Sequence, residues 1–322
     1  MKLGRRDFLK VSALAAAITS LGAAKPPTVE THNGIPYRVL GKTGEKVSLI
    51  CIGGSHIGNE GLSDEDSIKI MRTAVDEGVN FFDNAYIYKN GRSEELMGKA
   101  MLDGYRDKVF LMTKQYTRER DGESVLPQLE ESLTRLKTDV IDLYQVHMLH
   151  EDGHARLCYE NKVMEEMIKA KEQGKIRYIG FTGHTNPDYH VEMLEGGFNF
   201  DTTQMPTNPM DALHASSYEN TLFPMCLERN MGIIGMKSLG GNANVVNDGT
   251  LTAKECIHYA MNLPIASLVV GMDTIEHLHE NLEYTRTFEP LEEAGLREIF
   301  AKCNAANVRD GRYEYYKNIA TA

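Results

Sequence analysis

The chain has 322 residues, 42% of them hydrophobic and 25% charged, and a formal net charge of −11. Such a composition belongs to a folded protein of one large or two ordinary domains and excludes collagen-like, disordered and disulfide-stapled chains. With 46 acidic against 35 basic residues, nucleic acid is not the expected partner, because phosphate binding calls for clustered cations.

In chain order, residues 1–24 read as an address rather than as fold. Arg5-Arg6-Asp7-Phe8-Leu9-Lys10 precedes an apolar, Ala-rich run over 11–24 that closes on Gly22-Ala23-Ala24. A charged start, a short apolar stretch and small residues at its end are the parts of a cleavable export signal. The run is too short to span a bilayer comfortably. The paired arginines resemble a twin-arginine signal, with Gly4 where Ser or Thr is more usual. That resemblance implies the twin-arginine translocation machinery as a partner and a periplasmic location. Loss of the segment's net +3 would leave −14. No later stretch is long and apolar enough for a membrane span, so none is expected after cleavage.

Residues 37–45 read as a short hairpin turning at 41–44, and 47–53 as a strand ending in glycines. A helix over 63–77 places Ile68, Met71, Ala74 and Val75 on one face and stops at Gly78. A buried strand at 79–83 leads to a helix over 93–101, with Ser93 as its cap and Glu95 close behind. Further strands are predicted at 109–114, 140–147, 176–181, 201–205, 232–237 and 267–271. Helices fall between them at 125–136, 162–173, 188–194, 218–230 and 253–261, and a last one at 274–284. Residues 286–322 form an extension, helical from 291, with a polar aromatic end at Tyr313-Glu-Tyr-Tyr316.

Strands alternating with helices imply parallel pairing with right-handed crossovers. About eight such units predict an α/β fold, a closed (β/α)8 TIM barrel over 35–285 with a short N-terminal hairpin and a C-terminal helical extension. A doubly wound sheet is the rival, weakened by the lack of G-x-G-x-x-G after the first strand. The five cysteines, Cys51, Cys158, Cys226, Cys256 and Cys303, form no C-x-x-C pair, so neither a zinc ribbon nor an iron–sulfur cluster is supported. They are expected to be buried.

In such a barrel the reactive groups gather at the carboxyl ends of strands. Asp83 closes the second strand with Tyr88 five residues on, Lys114 closes the third and His147 the fourth. Phe81-Phe-Asp-Asn-Ala-Tyr-Ile-Tyr88 and Gly91-Arg-Ser-Glu-Glu-Leu-Met-Gly98 resemble the D-T-A-x-x-Y-G and S-E-x-x-x-G segments of the aldo-keto reductases. Asn84 stands for the common Thr and Lys89 for the common Gly. The resemblance spans nearly all of 35–285 and includes Leu143-Tyr-Gln-Val-His147, Gly180-Phe-Thr, Gln204 and His277-Leu-His-Glu-Asn281.

The resemblance implies a catalytic tetrad of Asp83, Tyr88, Lys114 and His147 and hydride transfer between a nicotinamide cofactor and an aldehyde, ketone, sugar or alcohol. Its chemistry is coherent on its own terms. Reduction of a carbonyl needs an acid for the developing alkoxide, and a Tyr phenol has a pKa near 10. A neighbouring Lys cation is expected to lower that value, Asp to hold the Lys, and neutral His to donate a hydrogen bond to the carbonyl. Each residue has a plainer reading as a loop cap or a structural ion pair. Tyr86 competes with Tyr88. His150 and His154 compete with His147, and H-x-x-H-x-x-x-H with Glu151 between is a zinc-like spacing; no metal is expected.

For the cofactor, NAD(P)(H), the resemblance implies Thr182 and Gln204 at the carboxamide, with Gly183 where the family carries Asn. It places Met236 against the nicotinamide, Lys237 and Leu239 at the pyrophosphate, and Glu280 and Asn281 at the adenine. Gly271, Met272 and His277 lie where NADPH-preferring members carry Lys, Ser and Arg, Thr274 is placed with them at the cofactor, and Asp273 adds a negative charge. Weak NADPH preference, or NAD(H), is therefore expected. Ser55, His56, Tyr116, His184 and the 206–216 loop are placed at the pocket rim. Two other classes stay open: a redox-neutral sugar epimerase or isomerase with retained NAD(P), and a non-catalytic subunit on the same barrel.

Overall fold

The alternation of apolar runs and amphipathic stretches resolves into a closed barrel in a computed structural model that describes residues 27–116, 119–308 and 313–318. The export signal expected at 1–24 lies outside the described residues. Three short strands, β1 (Glu30–His32), β2 (Ile35–Val39) and β3 (Lys46–Ser48), form an antiparallel sheet of their own. Eight parallel strands follow: β4 (Ile50–Gly53), β5 (Phe81–Asp83), β6 (Phe110–Tyr116), β7 (Ile141–Leu149), β8 (Ile176–Gly183), β9 (Thr202–Pro206), β10 (Gly232–Met236) and β11 (Ser267–Gly271). They pair in chain order, and β11 closes on β4. Closure excludes the doubly wound rival.

A helix follows each barrel strand: α1 (Asp64–Asp76), α2 (Arg92–Ala100), α3 (Val125–Leu136), α4 (Val163–Glu172), α5 (Pro187–Glu195), α6 (Tyr218–Glu228), α7 (Ala253–Asn262) and α8 (Ile275–Arg286). The extension begins with α9 (Glu293–Ala305), which buries Leu296, Ile299, Phe300 and Cys303. Helix starts follow capping chemistry. The Ser63 hydroxyl accepts from the Asp66 amide, and Thr252 with Glu255 makes a full capping box.

Three expectations shift. The strand read over 47–53 is two strands, because the chain leaves the hairpin at Leu49 to enter the barrel; the Leu49 amide turns to the Pro36 carbonyl. Ser93 is not a cap. The helix starts at Arg92 behind Gly91, and the buried Ser93 hydroxyl instead donates to the Gly54 carbonyl at 2.6 Å. An additional helix, His154–Glu160, precedes α4.

Most apolar side chains pack between the strands and the helices. A second cluster fills the barrel's interior, where Phe81 and Phe110 meet edge to face at 5.1 Å. Leu40 and Val47 of the hairpin region join it, so that sheet plugs the amino end of the barrel. The five cysteines are buried and free. Among the described residues, no helix is long and apolar enough to cross a membrane.

Candidate active site

Strand register carries the site residues to one rim. Gly53 pairs with Asp83, Tyr116 with His147, Thr182 with Gln204 and Gly271 with Gly53, all at carboxyl ends. Asp83 and Lys114 are buried, at 2% and 1% exposure, and form an ion pair. The Lys114 ammonium also donates to the Asn84 carbonyl at 2.7 Å. It lies 5.2 Å from the centre of the Tyr88 ring, and the His147 ring meets that ring edge-on at 5.8 Å. The structure thus brings together the four residues read from the sequence. Tyr86 points elsewhere: its hydroxyl donates to Glu131 and its ring faces the Arg135 guanidinium.

The electrostatics depart from expectation in one respect. Burial raises the Tyr88 pKa, and the nearby Lys114 cation lowers it only in part, so the net direction is upward. For Lys114, burial alone would lower the value, but Asp83 and Tyr88 outweigh it, and the ammonium is held charged. Burial first, then the Lys114 charge, pushes His147 well below the ordinary histidine range, so its imidazole is neutral at pH 7.

The surrounding sequence serves this geometry. Glu94 is buried beneath the rim, accepts from the Thr113 hydroxyl at 2.6 Å and pairs with Arg135. It thereby braces the strand that carries Lys114. Gly98 sits where a Cβ would meet the Arg135 carbonyl oxygen at 2.1 Å, so only glycine lets α2 approach α3 this closely. The S-E-x-x-x-G run is therefore a supporting frame rather than a set of reacting groups.

Arg120 carries no sequence signal that could have picked it out. It is fully buried and donates to the His147 and Met148 carbonyls and, at 2.8 Å, to His154 Nδ1. An arginine only donates, so His154 Nδ1 accepts and its neutral ring carries the proton on Nε2. His150, Glu151 and His154 present ligand atoms within 4.8 Å of one another. With the His154 Nε2 lone pair protonated and a guanidinium alongside, that set does not fit zinc.

Of the cofactor residues read from the resemblance, Thr182, Gln204, Met236 and Gly271 lie toward the carboxyl ends of their strands on the same rim, and two observations there fit a nicotinamide dinucleotide. Gln204 donates from Nε2 to Asp83, while its Oε1 is buried without a hydrogen-bond partner among the described residues. That orphan acceptor suits a carboxamide N–H. Lys237, at φ +57°, has no carboxylate partner among the described residues, and burial followed by repulsion from Lys114 lowers its pKa to about 8. An anion such as a pyrophosphate would relieve it. Thr182 is buried beside Gln204. At Gly183 a Cβ would meet the Leu149 carbonyl oxygen at 2.6 Å, which explains the absence of a larger residue. Met236 and Leu239 flank Lys237 and are half-buried.

At the last strand, the His56 ring lies against Gly271. Asp273 accepts from His277 Nδ1 at 2.6 Å and lies 3.9 Å from His56 Nδ1. Thr274 caps α8, Glu280 accepts from the Tyr284 hydroxyl, and Asn281 is buried one residue on.

Comparison with known proteins bears on this arrangement. The aldo/keto reductase family matches residues 49–247. The aldo-keto reductase YhdN of Bacillus subtilis (strain 168) is 38% identical over 171 residues, 49% of this chain and 49% of the relative, so the chain spans about half that protein's length. The uncharacterized oxidoreductase YrpG of the same organism is 32% identical over 244 residues, 68% of this chain and 72% of the relative. An aldo/keto reductase of Klebsiella pneumoniae, solved with NADP and acetate, superposes with a TM-score of 0.66 at 21% identity, over 81% of this chain and 93% of that one. At that identity the likeness is one of fold.

Proposed function

The chain belongs to the aldo/keto reductase family of oxidoreductases, and from that premise we propose that it transfers hydride between NAD(P)(H) and a carbonyl or alcohol group, with Tyr88 as general acid and base. The observation that carries this reading is the buried Lys114 ammonium, paired with Asp83 on one side and set against the Tyr88 phenol on the other.

When bound, the nicotinamide supplies the hydride. Gln204 Oε1 and the Thr182 hydroxyl would hold its carboxamide, Lys237 would take the pyrophosphate, and Glu280 and Asn281 would serve the adenine. Tyr88 stays protonated at neutral pH, because burial keeps its pKa above the usual value. It gives that proton to the carbonyl oxygen as negative charge develops there. An alkoxide is a stronger base than a phenolate, so the transfer runs downhill. Lys114 then stabilises the phenolate, and Asp83 keeps Lys114 charged. Neutral His147 donates a hydrogen bond to the same oxygen and excludes water from that side.

The family commonly grips a ribose 2′-phosphate with cations after the last strand. Here Asp273 occupies that neighbourhood with His277 and His56. This supports NAD(H), or weak NADPH preference. The Arg5-Arg6 segment supports export by the twin-arginine route to the periplasm. Because no free nicotinamide pool is expected there, the cofactor would be loaded before export and retained.

Absorbance near 340 nm during turnover with a panel of small aldehydes, ketones and sugars tests the chemistry. Net oxidation of reduced cofactor supports the reading. A transient that returns to baseline would instead indicate a redox-neutral isomerase, and silence with every compound a non-catalytic barrel. Cell fractionation with Arg5→Lys and Arg6→Lys tests export. Mass spectrometry of the denatured periplasmic protein tests cofactor retention; stably folded, cofactor-free material overturns it.

A further inference from the structure

The extension returns across the carboxyl end of the barrel. Tyr313, Glu314 and Tyr316 are buried there, at 1% exposure or less. The segment is latched to the loop after β9: Glu314 pairs with His214 at 2.5 Å, Lys317 with Asp211 at 2.6 Å, and the Tyr316 hydroxyl accepts from Asn208 Nδ2 at 3.0 Å. These contacts fix the position of the Tyr316 backbone carbonyl.

That carbonyl meets His184 Nδ1 at 3.1 Å. His184 follows the last residue of β8, whose neighbour β7 carries His147, and Gly183 pairs with Leu149 at that rim. A carbonyl oxygen only accepts, so His184 Nδ1 holds the ring's proton and donates it to the extension. In the neutral ring, Nε2 is then an acceptor and nothing else. Among the described residues Nε2 has no hydrogen bond, and it keeps access to solvent although the residue is only 8% exposed.

We infer that His184, oriented by the Tyr316 carbonyl, is a specificity-determining residue that selects substrates bearing a hydroxyl on the carbon next to the carbonyl. The inference rests on the carbonyl-reductase reading and deepens it. The groups that face the reacting oxygen, the Tyr88 hydroxyl, the Lys114 ammonium and the His147 ring, act there as donors. His184 Nε2 adds the complementary acceptor on the adjoining side of the rim. A hydroxyl satisfies it, a methyl displaces its water and leaves the acceptor unpaired, and a carboxylate sets two acceptors against each other. Burial, reinforced by the Lys237 charge, lowers the His184 pKa to about 3, so the ring stays neutral through the working range. A site built to hydrogen-bond a substrate hydroxyl discriminates strongly against the analogue that lacks it.

The test compares kcat/KM for glycolaldehyde, acetaldehyde and glyoxylate. The wild type is expected to prefer glycolaldehyde over acetaldehyde by about tenfold or more. His184→Leu should abolish that preference, the loss falling on the hydroxylated member, and His184→Gln, whose Oε1 can reach the Nε2 position, should restore part of it. No preference in the wild type, equal losses on both aldehydes in His184→Leu, or preference for glyoxylate overturns the inference. NMR titration with glycolamide and acetamide, amide mimics of the pair, reads the same bias without turnover. If no aldehyde is reduced but glycolamide binds more tightly than acetamide only when His184 is present, the reductase reading falls and the hydroxyl site stands. If the two amides bind alike, the hydroxyl site falls.

Discussion

The Gln204 amide nitrogen donates to Asp83 Oδ2 at 2.9 Å, joining residues 121 positions apart. The other Asp83 oxygen takes the Lys114 ammonium. One carboxylate therefore couples the residue that orients the proton donor to the residue assigned to the nicotinamide carboxamide. Asp83→Asn keeps the shape and the Gln204 contact but removes the counter-charge that holds Lys114 charged. The expected result is a loss of kcat on the order of a hundredfold and a lower melting temperature, because the buried Lys114 ammonium loses its counter-charge, with cofactor affinity in the folded protein little changed. Steady-state rates, fluorescence titration and thermal melts check it together.

Tyr88→Phe removes the proton donor and should cost about a hundred- to ten-thousandfold in kcat while leaving cofactor binding intact. The wild-type pH profile follows from the directions of the shifts. His147 is neutral far below its usual midpoint, so no inflection is expected near pH 6.5. Tyr88 must be protonated to act as acid, and burial holds its pKa above the usual phenol value. At saturating cofactor, reduction should therefore hold steady from about pH 6 to about pH 9 and fall only in more alkaline solution, whereas alcohol oxidation should climb as the phenolate forms. Initial rates in both directions across that range decide it.

The barrel was legible because it rests on local pattern, while the grouping of Asp83, Tyr88, Lys114 and His147 came from the family resemblance and is matched by their placement on one rim. Asp83 closes its apolar run and its strand, whereas β6 and β7 continue two residues past Lys114 and His147, to Tyr116 and Leu149. Helix α3 matches its expected bounds, Val125–Leu136, for the same reason: its period and flanks are local. What sequence could not show depends on contacts between distant residues. Ser93 looks like a cap until Gly54 is brought beside it. Arg120 looks like a loop cation until the His147 carbonyl folds over it. The expected drop in the Tyr88 pKa failed because burial, which no spacing reveals, outweighs the Lys114 charge.

Lys237 gives a second pH signature. Its pKa of about 8 in the free protein means that the cation is essentially complete at pH 7, half lost at pH 8 and mostly lost by pH 9. A bound pyrophosphate favours the charged form, so binding above pH 8 must take up a proton. Cofactor affinity should fall about tenfold by pH 9 relative to pH 7. Lys237→Arg, charged throughout, should flatten the profile, and Lys237→Ala should weaken binding at every pH. Calorimetry in two buffers of different ionisation enthalpy reads the proton directly.

Asp273 bears on the choice of dinucleotide. Burial, the largest single influence, would raise its pKa, but the His277 hydrogen bond together with the neighbouring His277 and His56 charges outweighs it and keeps the carboxylate charged at neutral pH. A 2′-phosphate placed beside it meets like charge, at a cost of about 1 kcal/mol in a solvent-accessible setting. Asp273→Ser should then tighten NADPH about fivefold and leave NADH unchanged, as measured by fluorescence titration. Tenfold tighter NADPH binding by the wild type would contradict the assignment.

Arg120 separates positioning from chemistry. Its guanidinium satisfies two carbonyls and one imidazole in a fully buried setting. Arg120→Met removes the donors and leaves those acceptors without partners, which costs about 3 kcal/mol or more. A melting temperature lower by about 10 °C is expected. Because His147 hangs from one of those carbonyls, kcat should fall even at temperatures where the variant is fully folded, and cofactor affinity should not. A variant that melts early but turns over normally when folded would make Arg120 a stabilising residue alone, and the orientation of His147 would then have to come from the β7 strand.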